Sequence, residues 1–322
     1  MEKIKKKDHT IVVTGISSFV GVHLAVRMAH CARVIGTVTK DPCQYSGIQK
    51  KRLAHAVQAG VVIKTLDYTN EKMCRQFIRS NKPYLWFHHG GYAENYSSLD
   101  YDIRKGFAVN VQPLRWIIPL LKENGGQGLI ITGSSAEYTS GNTLSKETEM
   151  CAPDTPYGVC KLAANLHARL LALQHGFPVR AIRIFIPYGK LDAPEKLIPS
   201  AVRSLIKNEP IDLSPCMQKR DFLHITDVCE GYAAAALDIT RRPGVLYDIF
   251  NIASGKGVPL RMMLKKTASL MKKNPALFRF GARPMRAGET LFSAADIRKA
   301  EQILNFRPRP LVSGLKKYLK DY

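Results

Sequence analysis

A chain of 322 residues that is 45% hydrophobic and 23% charged has globular composition and is long enough for one large domain or two unequal ones. A disordered tail and a collagen-like fibre are excluded. Lys and Arg number 48 against 26 acidic residues, and the formal charge of +22 suits an anionic partner without naming it.

The basic first residues and the apolar stretch over 11–29 imitate a signal peptide. Gly15, Ser17, Ser18, Gly21, His23 and Arg27 interrupt that stretch, and no other apolar run approaches the roughly 18 residues that a membrane helix needs. The expectation is a soluble chain that keeps its N-terminus. Short β-branched or aromatic runs over 10–14, 33–38, 61–64, 84–88, 128–132 and 179–185 read as buried strands. Helical periods between them cover 20–30, 50–58, 71–80, 104–123 and 157–175. This alternation predicts an α/β fold, a doubly wound parallel sheet (Rossmann) with a ligand crevice at the carboxyl ends of its strands.

After Gly189, four prolines (194, 199, 210 and 215) punctuate shorter elements. Helical patterns fall over 197–207, 227–239, 260–273 and 293–304, with strands over 210–213 and 247–252. The expected organisation is a dinucleotide-binding domain over 1–189 and a smaller, mainly substrate-binding lobe over 190–322, some of whose segments return to the sheet. The seven cysteines are odd in number, form no C-x-x-C pair and have no metal-ligand spacing. A reduced, cytoplasmic protein without a bound metal is expected.

The first strand runs into Thr14-Gly15-Ile16-Ser17-Ser18-Phe19-Val20-Gly21 and then a helix, the context of a dinucleotide phosphate loop. Gly15 permits the tight turn. Gly21 lets the helix pack closely on the strand, while N–H groups at the helix start, from Ser17 to Val20, face a pyrophosphate. The usual middle glycine is Ser18, which would either crowd the phosphate or hydrogen-bond it. A purely structural strand-turn-helix is the alternative.

After the second strand, Thr39 and Lys40 suit the extra phosphate of NADP better than the ribose diol of NAD, and Asp41 comes one step too late to hold that diol. NADP(H) is favoured, NAD(H) stays possible, and a solvated loop lysine is the bland alternative. Asp67 and Tyr68 follow the third strand, where Asp67 would cap the adenine or, as an ordinary strand-end Asp, a turn. Tyr157 and Lys161 lie four residues apart behind Asp154-Thr155-Pro156, a capped helix start that puts both on one face. A neighbouring ammonium lowers a tyrosine pKa toward values useful in acid/base catalysis. Ser134 and Ser135 end the fifth strand, where their hydroxyls can bind a carbonyl or alkoxide oxygen.

On these motifs the sequence resembles the extended short-chain dehydrogenase/reductases, the family of nucleotide-sugar epimerases, dehydratases and 4-ketoreductases, over nearly the whole chain. Further matches are Phe87-His88-His89-Gly90-Gly91 at a strand end, Asn110 in a helix, Arg183-Ile184-Phe185-Ile186-Pro187-Tyr188-Gly189, the long segment from Gln218 to Val228 around Arg220-Asp221-Phe222, and Arg286-Ala287-Gly288-Glu289. The resemblance implies cofactor contacts from His88, His89, Gly90 and Asn110. It implies Tyr157 as general acid/base, Lys161 on the nicotinamide ribose, and Ser134 on the reacting oxygen, or Ser135 if the register shifts by one. Arg220 and Arg286 would hold the substrate diphosphate. A homodimer through the helices over 104–123 and 157–175 is also implied, with core packing of their apolar faces as the alternative.

Departures from the family pattern narrow the reaction. Family dehydratases carry acidic residues just after the catalytic threonine. Anchored on Tyr138, those positions are Ser135 and Ala136, and Glu137 falls at a buried or turned-away position, so dehydration is disfavoured. Ile186 removes an expected amide contact to substrate, and Gly90 and Gly91 widen the space beside the cofactor. The expected activity is NADPH-dependent reduction of a keto group on a nucleotide-diphosphate sugar, above all a 4-keto-6-deoxy sugar. An epimerase with tightly bound NAD is the second reading. A non-catalytic nucleotide-sensing or RNA-binding protein is the third, and no RGG tract or aromatic-rich basic stripe supports it. No membrane or nucleic-acid partner is expected.

Overall fold

The computed structural model describes residues 9–285 and 289–322. In the first half, β1 (Thr10–Thr14), β2 (Arg33–Val38), β3 (Val62–Thr65), β4 (Leu85–His88), β5 (Gly128–Ser134) and β6 (Val179–Ile184) alternate with helices. These are α1 (Phe19–Ala29), α2 (Gly47–Gln58), α3 (Glu71–Asn81), α4 (Ile103–Asn110), α5 (Leu114–Glu123) and α6 (Pro156–His175). The one helix expected over 104–123 is therefore two. Pro113 has no N–H for the Val109 carbonyl and its ring would collide with it, so α4 closes at Asn110 and α5 starts afresh.

The second half runs through β7 (Ile186–Tyr188), α7 (Leu197–Lys207), β8 (Ile211–Leu213), β9 (Lys219–His224), α8 (Ile225–Arg241) and β10 (Tyr247–Ile252). It ends with β11 (Gly257–Pro259), α9 (Leu260–Leu270), β12 (Phe278–Phe280), β13 (Phe292–Ser293), α10 (Arg298–Ile303) and α11 (Leu311–Leu319). The helix expected over 293–304 shrinks to α10. Its first half is taken by long-range pairing, with Ser145 N–H donating to Ala294 O at 2.9 Å and Asp296 N–H to Ser145 O at 2.9 Å. The unanticipated α11 follows Pro310 and buries Leu315 and Tyr318.

A seven-stranded sheet in the order β10-β6-β5-β4-β1-β2-β3 is parallel throughout. Continuous apolar strands such as Thr10–Thr14 arise because both faces are covered. Ile11 and Val13 pack with Leu24 of α1 and Tyr232 of α8 on one face, while Val12 packs with Ile117 of α5 and Ala168 of α6 on the other. The strand order reverses between β1 and β4, and this is where such sheets bind ligands. A separate core of Tyr188, Phe222, Leu264 and Leu315 lies under the smaller sheets, β11-β9-β13 with β7 on β9, and β12-β8.

Candidate active site

The loop after β1 is built for close approach. Gly15 adopts φ +71°, and a Cβ there would sit 2.6 Å from Gly90 Cα, so the loop rests directly on the backbone beyond β4. The Thr14 hydroxyl accepts from the N–H groups of His89 (3.0 Å) and Gly90 (2.7 Å), locking the two loops together. Ser18 caps α1, accepting the Gly21 N–H at 3.1 Å. The N–H groups of Phe19 and Val20 belong to the helix's first turn, which leaves its donors to an outside acceptor. His88, buried at the end of β4, keeps Nε2 without a partner and accepts from Trp86 Nε1 at 3.4 Å. Burial first, then Lys161, depress its pKa to about 3. This cradle, with its unpaired buried nitrogen, fits a dinucleotide.

Other residues expected at the cofactor have mixed placements. Thr39 and Lys40 are exposed beyond β2, beside the Tyr45 hydroxyl. The Asp67 carboxylate closes a turn on Thr69, by its N–H at 2.9 Å and its hydroxyl at 2.5 Å, and Tyr68 is buried against His88. Asn110, expected at the cofactor, braces the loop beyond β4: its Oδ1 accepts from Tyr92 N at 2.7 Å and its Nδ2 donates to Tyr92 O at 3.2 Å. Sequence reasoning missed Arg52, whose buried guanidinium joins Ser17 O (3.0 Å) to Leu191 O (2.9 Å). Its sequence signal was its place one turn before Ala56 on the buried side of α2.

Ser134, Tyr157 and Lys161, the expected catalytic residues, meet where α6 abuts the end of β5. Thr155 caps α6, accepting the Gly158 N–H at 3.1 Å, and Pro156 occupies the first turn. A Cβ on Gly158 would run into the Ala136 carbonyl, so only glycine lets the helix come this close. Tyr157 is thereby brought close to the Ser134 side chain, whose hydroxyl accepts the Ala136 N–H at 3.1 Å, with the rings of Tyr96 and Tyr101 each 5.7 Å from its own. Lys161, one turn on, donates to Thr132 O at 2.6 Å, and its Nζ lies 6.0 Å from the Tyr157 ring centre.

The expected depression of the tyrosine pKa by Lys161 is not found. Burial raises the Tyr157 phenol above its ordinary value, opposed chiefly by the neighbouring Ser134 hydroxyl. Burial also lowers Lys161 to about 8, opposed by the charge of Glu137.

Ser134 and Ser135 face different surroundings. Ser135 lines an adjoining cavity of about 160 Å³ shared with Ser140, Asp154, Ile186, Arg220 and Phe292. Ser134 is the one of the two beside Tyr157, and Ser134→Ala is expected to lower kcat about 10²-fold, the scale of losing one donor to a developing oxyanion. Ser135→Ala should change it less than about tenfold; the reverse ranking in steady-state kinetics would assign the oxygen to Ser135 instead.

Glu137 is fully buried, as its position suggested. It accepts from Ser134 N (2.8 Å), from Arg183 Nε (2.8 Å) and from Asn165 Nδ2 (2.8 and 2.7 Å), and so it supports the site from below. Arg220 reaches the cavity while pairing with Glu289 at 3.5 Å. Arg286 lies outside the described residues.

A switch-point crevice, a phosphate loop and a Ser-Tyr-Lys cluster on one parallel sheet define an enzyme class, the nicotinamide-dinucleotide oxidoreductases of Rossmann fold. The model of the NAD dependent epimerase/dehydratase family matches residues 11–253, and the chain belongs to that family, within the extended short-chain dehydrogenase/reductases.

It is similar to an uncharacterized UDP-glucose epimerase of Bacillus subtilis (strain 168), 25% identical over 205 residues, 62% of each chain. It is also 25% identical over 235 residues to a dTDP-4-dehydro-6-deoxyglucose reductase of Escherichia coli, covering 71% of this chain and 70% of that one. Among solved structures, the UDP-glucuronic acid 4-epimerase of Bacillus cereus, in complex with UDP-glucuronic acid and NAD, superposes with a TM-score of 0.82. It is 20% identical, over 97% of this chain and 98% of that one, a likeness of fold. No helix among the described residues is long and apolar enough to cross a membrane.

Proposed function

We propose that the chain reduces a keto group on a nucleotide-diphosphate sugar, a 4-keto-6-deoxy sugar above all, with NADPH as the reductant. The observation that carries this reading is the meeting of Ser134 and Tyr157 where α6 abuts the end of β5, close in the chain to residues that line a hydroxyl-rich cavity, with burial holding the phenol in its acid form. A reduction needs a proton donor from the outset, whereas an oxidation-first epimerase needs a base. Bound NADPH supplies the hydride. Ser134 then steadies the charge that develops on the carbonyl oxygen, Tyr157 gives it a proton, and Lys161 offsets the resulting phenolate. Arg220 would exchange Glu289 for the substrate diphosphate. Glu137, locked to Arg183, is withheld from the cavity, which argues against water elimination.

NADP is favoured because the carboxylate beyond β2 is engaged: Asp41 Oδ1 accepts the Cys43 N–H at 2.9 Å, capping a short turn, while Thr39 and Lys40 stay exposed. Fluorescence titration of nucleotide-free protein should give tighter binding of NADPH than of NADH. Lys40→Glu should weaken NADPH about tenfold or more, the scale of one charged hydrogen bond, and leave NADH nearly unchanged. An unchanged preference would overturn the NADP reading. Epimerisation is the second reading, supported by the solved neighbours that hold NAD, and tightly retained NAD in the purified protein would favour it.

The exposed side chains of Val159, Leu166, Leu170 and Leu173 form an apolar stripe on α6, with Ile103 of α4 exposed as well. That stripe supports a homodimer through these helices. Sedimentation should give twice the monomer mass for the wild type and one monomer mass for Leu170→Glu; a wild-type monomer would overturn the dimer.

A further inference from the structure

Ser18, which stands where the phosphate loop usually has a glycine, is bonded to a histidine 71 residues away. His89 Nε2 lies 3.0 Å from Ser18 Oγ, and His89 Nδ1 lies 3.0 Å from Thr132 Oγ1. Thr132 Oγ1 in turn lies 2.6 Å from the Tyr232 hydroxyl. The imidazole thus bridges the phosphate loop and β5, with a hydroxyl at each ring nitrogen. A neutral ring donates through one nitrogen and accepts through the other, whereas a protonated ring donates through both, and hydroxyls satisfy either state by rotating.

We propose that His89 is a positioning residue that adjusts charge at the phosphate loop. When the cofactor pyrophosphate settles at the amino end of α1, His89 takes up one proton from solvent. The Ser18 hydroxyl then accepts from His89 Nε2–H and turns its own hydrogen toward a phosphate oxygen. This inference rests on the reading that the crevice holds a nicotinamide dinucleotide.

The electrostatics of the free protein set up that exchange. Burial, and after it the charge of Lys161 on α6, hold His89 near a pKa of about 3, so the ring is neutral before the cofactor arrives. Neighbouring His88 is neutral for the same reasons, and burial keeps the phenols of Tyr68 and Tyr232 protonated. Lys161 is therefore the charge acting on the ring, and it opposes protonation. A diphosphate one hydroxyl away supplies the opposite charge and raises the histidine pKa toward its ordinary value of about 6.5. Between the free and the bound pKa the complex holds one proton more than the separated partners, so affinity rises as pH falls.

Calorimetric titration with NADH and with NADPH, in two buffers of different ionisation enthalpy at about pH 6, measures that proton directly. Net uptake is expected for the wild type and its loss for His89→Gln, which keeps an amide able to donate and accept. Affinity of the wild type for NADH should rise severalfold, up to about tenfold per unit, between about pH 7 and pH 5, while the variant stays flat. NADH lacks the extra phosphate that titrates in NADPH, which separates the two sources of protons. Should His89→Gln fail to fold, ring-nitrogen NMR of the wild type reads the same event as a doubly protonated His89 in the complex. Equal proton uptake in both proteins, or a neutral His89 ring in the complex, would overturn the proposal. If neither dinucleotide bound the wild type, the cofactor reading would fall, and the proposal with it.

Discussion

Tyr157→Phe should lower kcat by about 10³-fold while leaving the NADPH dissociation constant within about twofold of the wild type. The ring stays, so its contacts with Tyr96 and Tyr101 persist and α6 keeps its place against Ala136. What disappears is the hydroxyl proposed as the proton donor. Burial holds that phenol protonated in the free enzyme, so the wild type enters the reaction already charged with its proton. Turnover within about tenfold of the wild type would remove Tyr157 from the chemistry.

Glu137→Gln should destabilise the protein by about 3 kcal/mol in denaturant unfolding, the scale of stripping one partner from a buried ion pair. Arg183 would remain buried, and the new amide group would face the Ser134 N–H and Asn165 Nδ2, donors that the carboxylate accepts from. A second consequence is electrostatic. Lys161 sits near pKa 8, below its ordinary value, because burial outweighs the support of Glu137. In the wild type kcat/KM should therefore fall as pH rises through about 8, where Lys161 loses its proton. Removing the Glu137 charge lowers the lysine pKa further, so this alkaline limb should move to lower pH. Unchanged stability with an unmoved limb would contradict this account of the Glu137–Arg183 pair and its influence on Lys161.

Much of the dinucleotide half was legible in the sequence because its physics is local. Strands such as Thr10–Thr14 and Arg33–Val38 are continuous apolar runs that a two-sided sheet requires, and Tyr157 and Lys161 follow a capped helix start. The break at Pro113 was missed because the apolar period continues across it while the hydrogen-bond ladder does not. β11, β12 and β13 are too short for any period to emerge, and they exist through partners such as β9 and β8, distant in sequence.

The site divides along the same line. Tyr157 and Lys161 announce themselves by spacing, whereas Ser134 and Ser135 stand side by side and the sequence leaves both open. The anchoring of Glu137 by Arg183 and the coupling of Ser18 to His89 depend on contacts between segments 46 and 71 residues apart. The direction of the Tyr157 shift was misread because spacing reveals a neighbouring ammonium but not the burial that outweighs it.

The most direct test of the central claim is a single-turnover experiment. Nucleotide-free enzyme is mixed with NADPH carrying deuterium at the transferable position and with a dTDP-4-keto-6-deoxy sugar, and the sugar product is examined by mass and NMR. The account predicts stoichiometric oxidation of NADPH with deuterium bound to the former keto carbon. No oxidation of NADPH and no deuterium in the sugar, alongside interconversion of a nucleotide sugar bearing a hydroxyl at that carbon by the same enzyme given NAD, would contradict it and favour the epimerase reading.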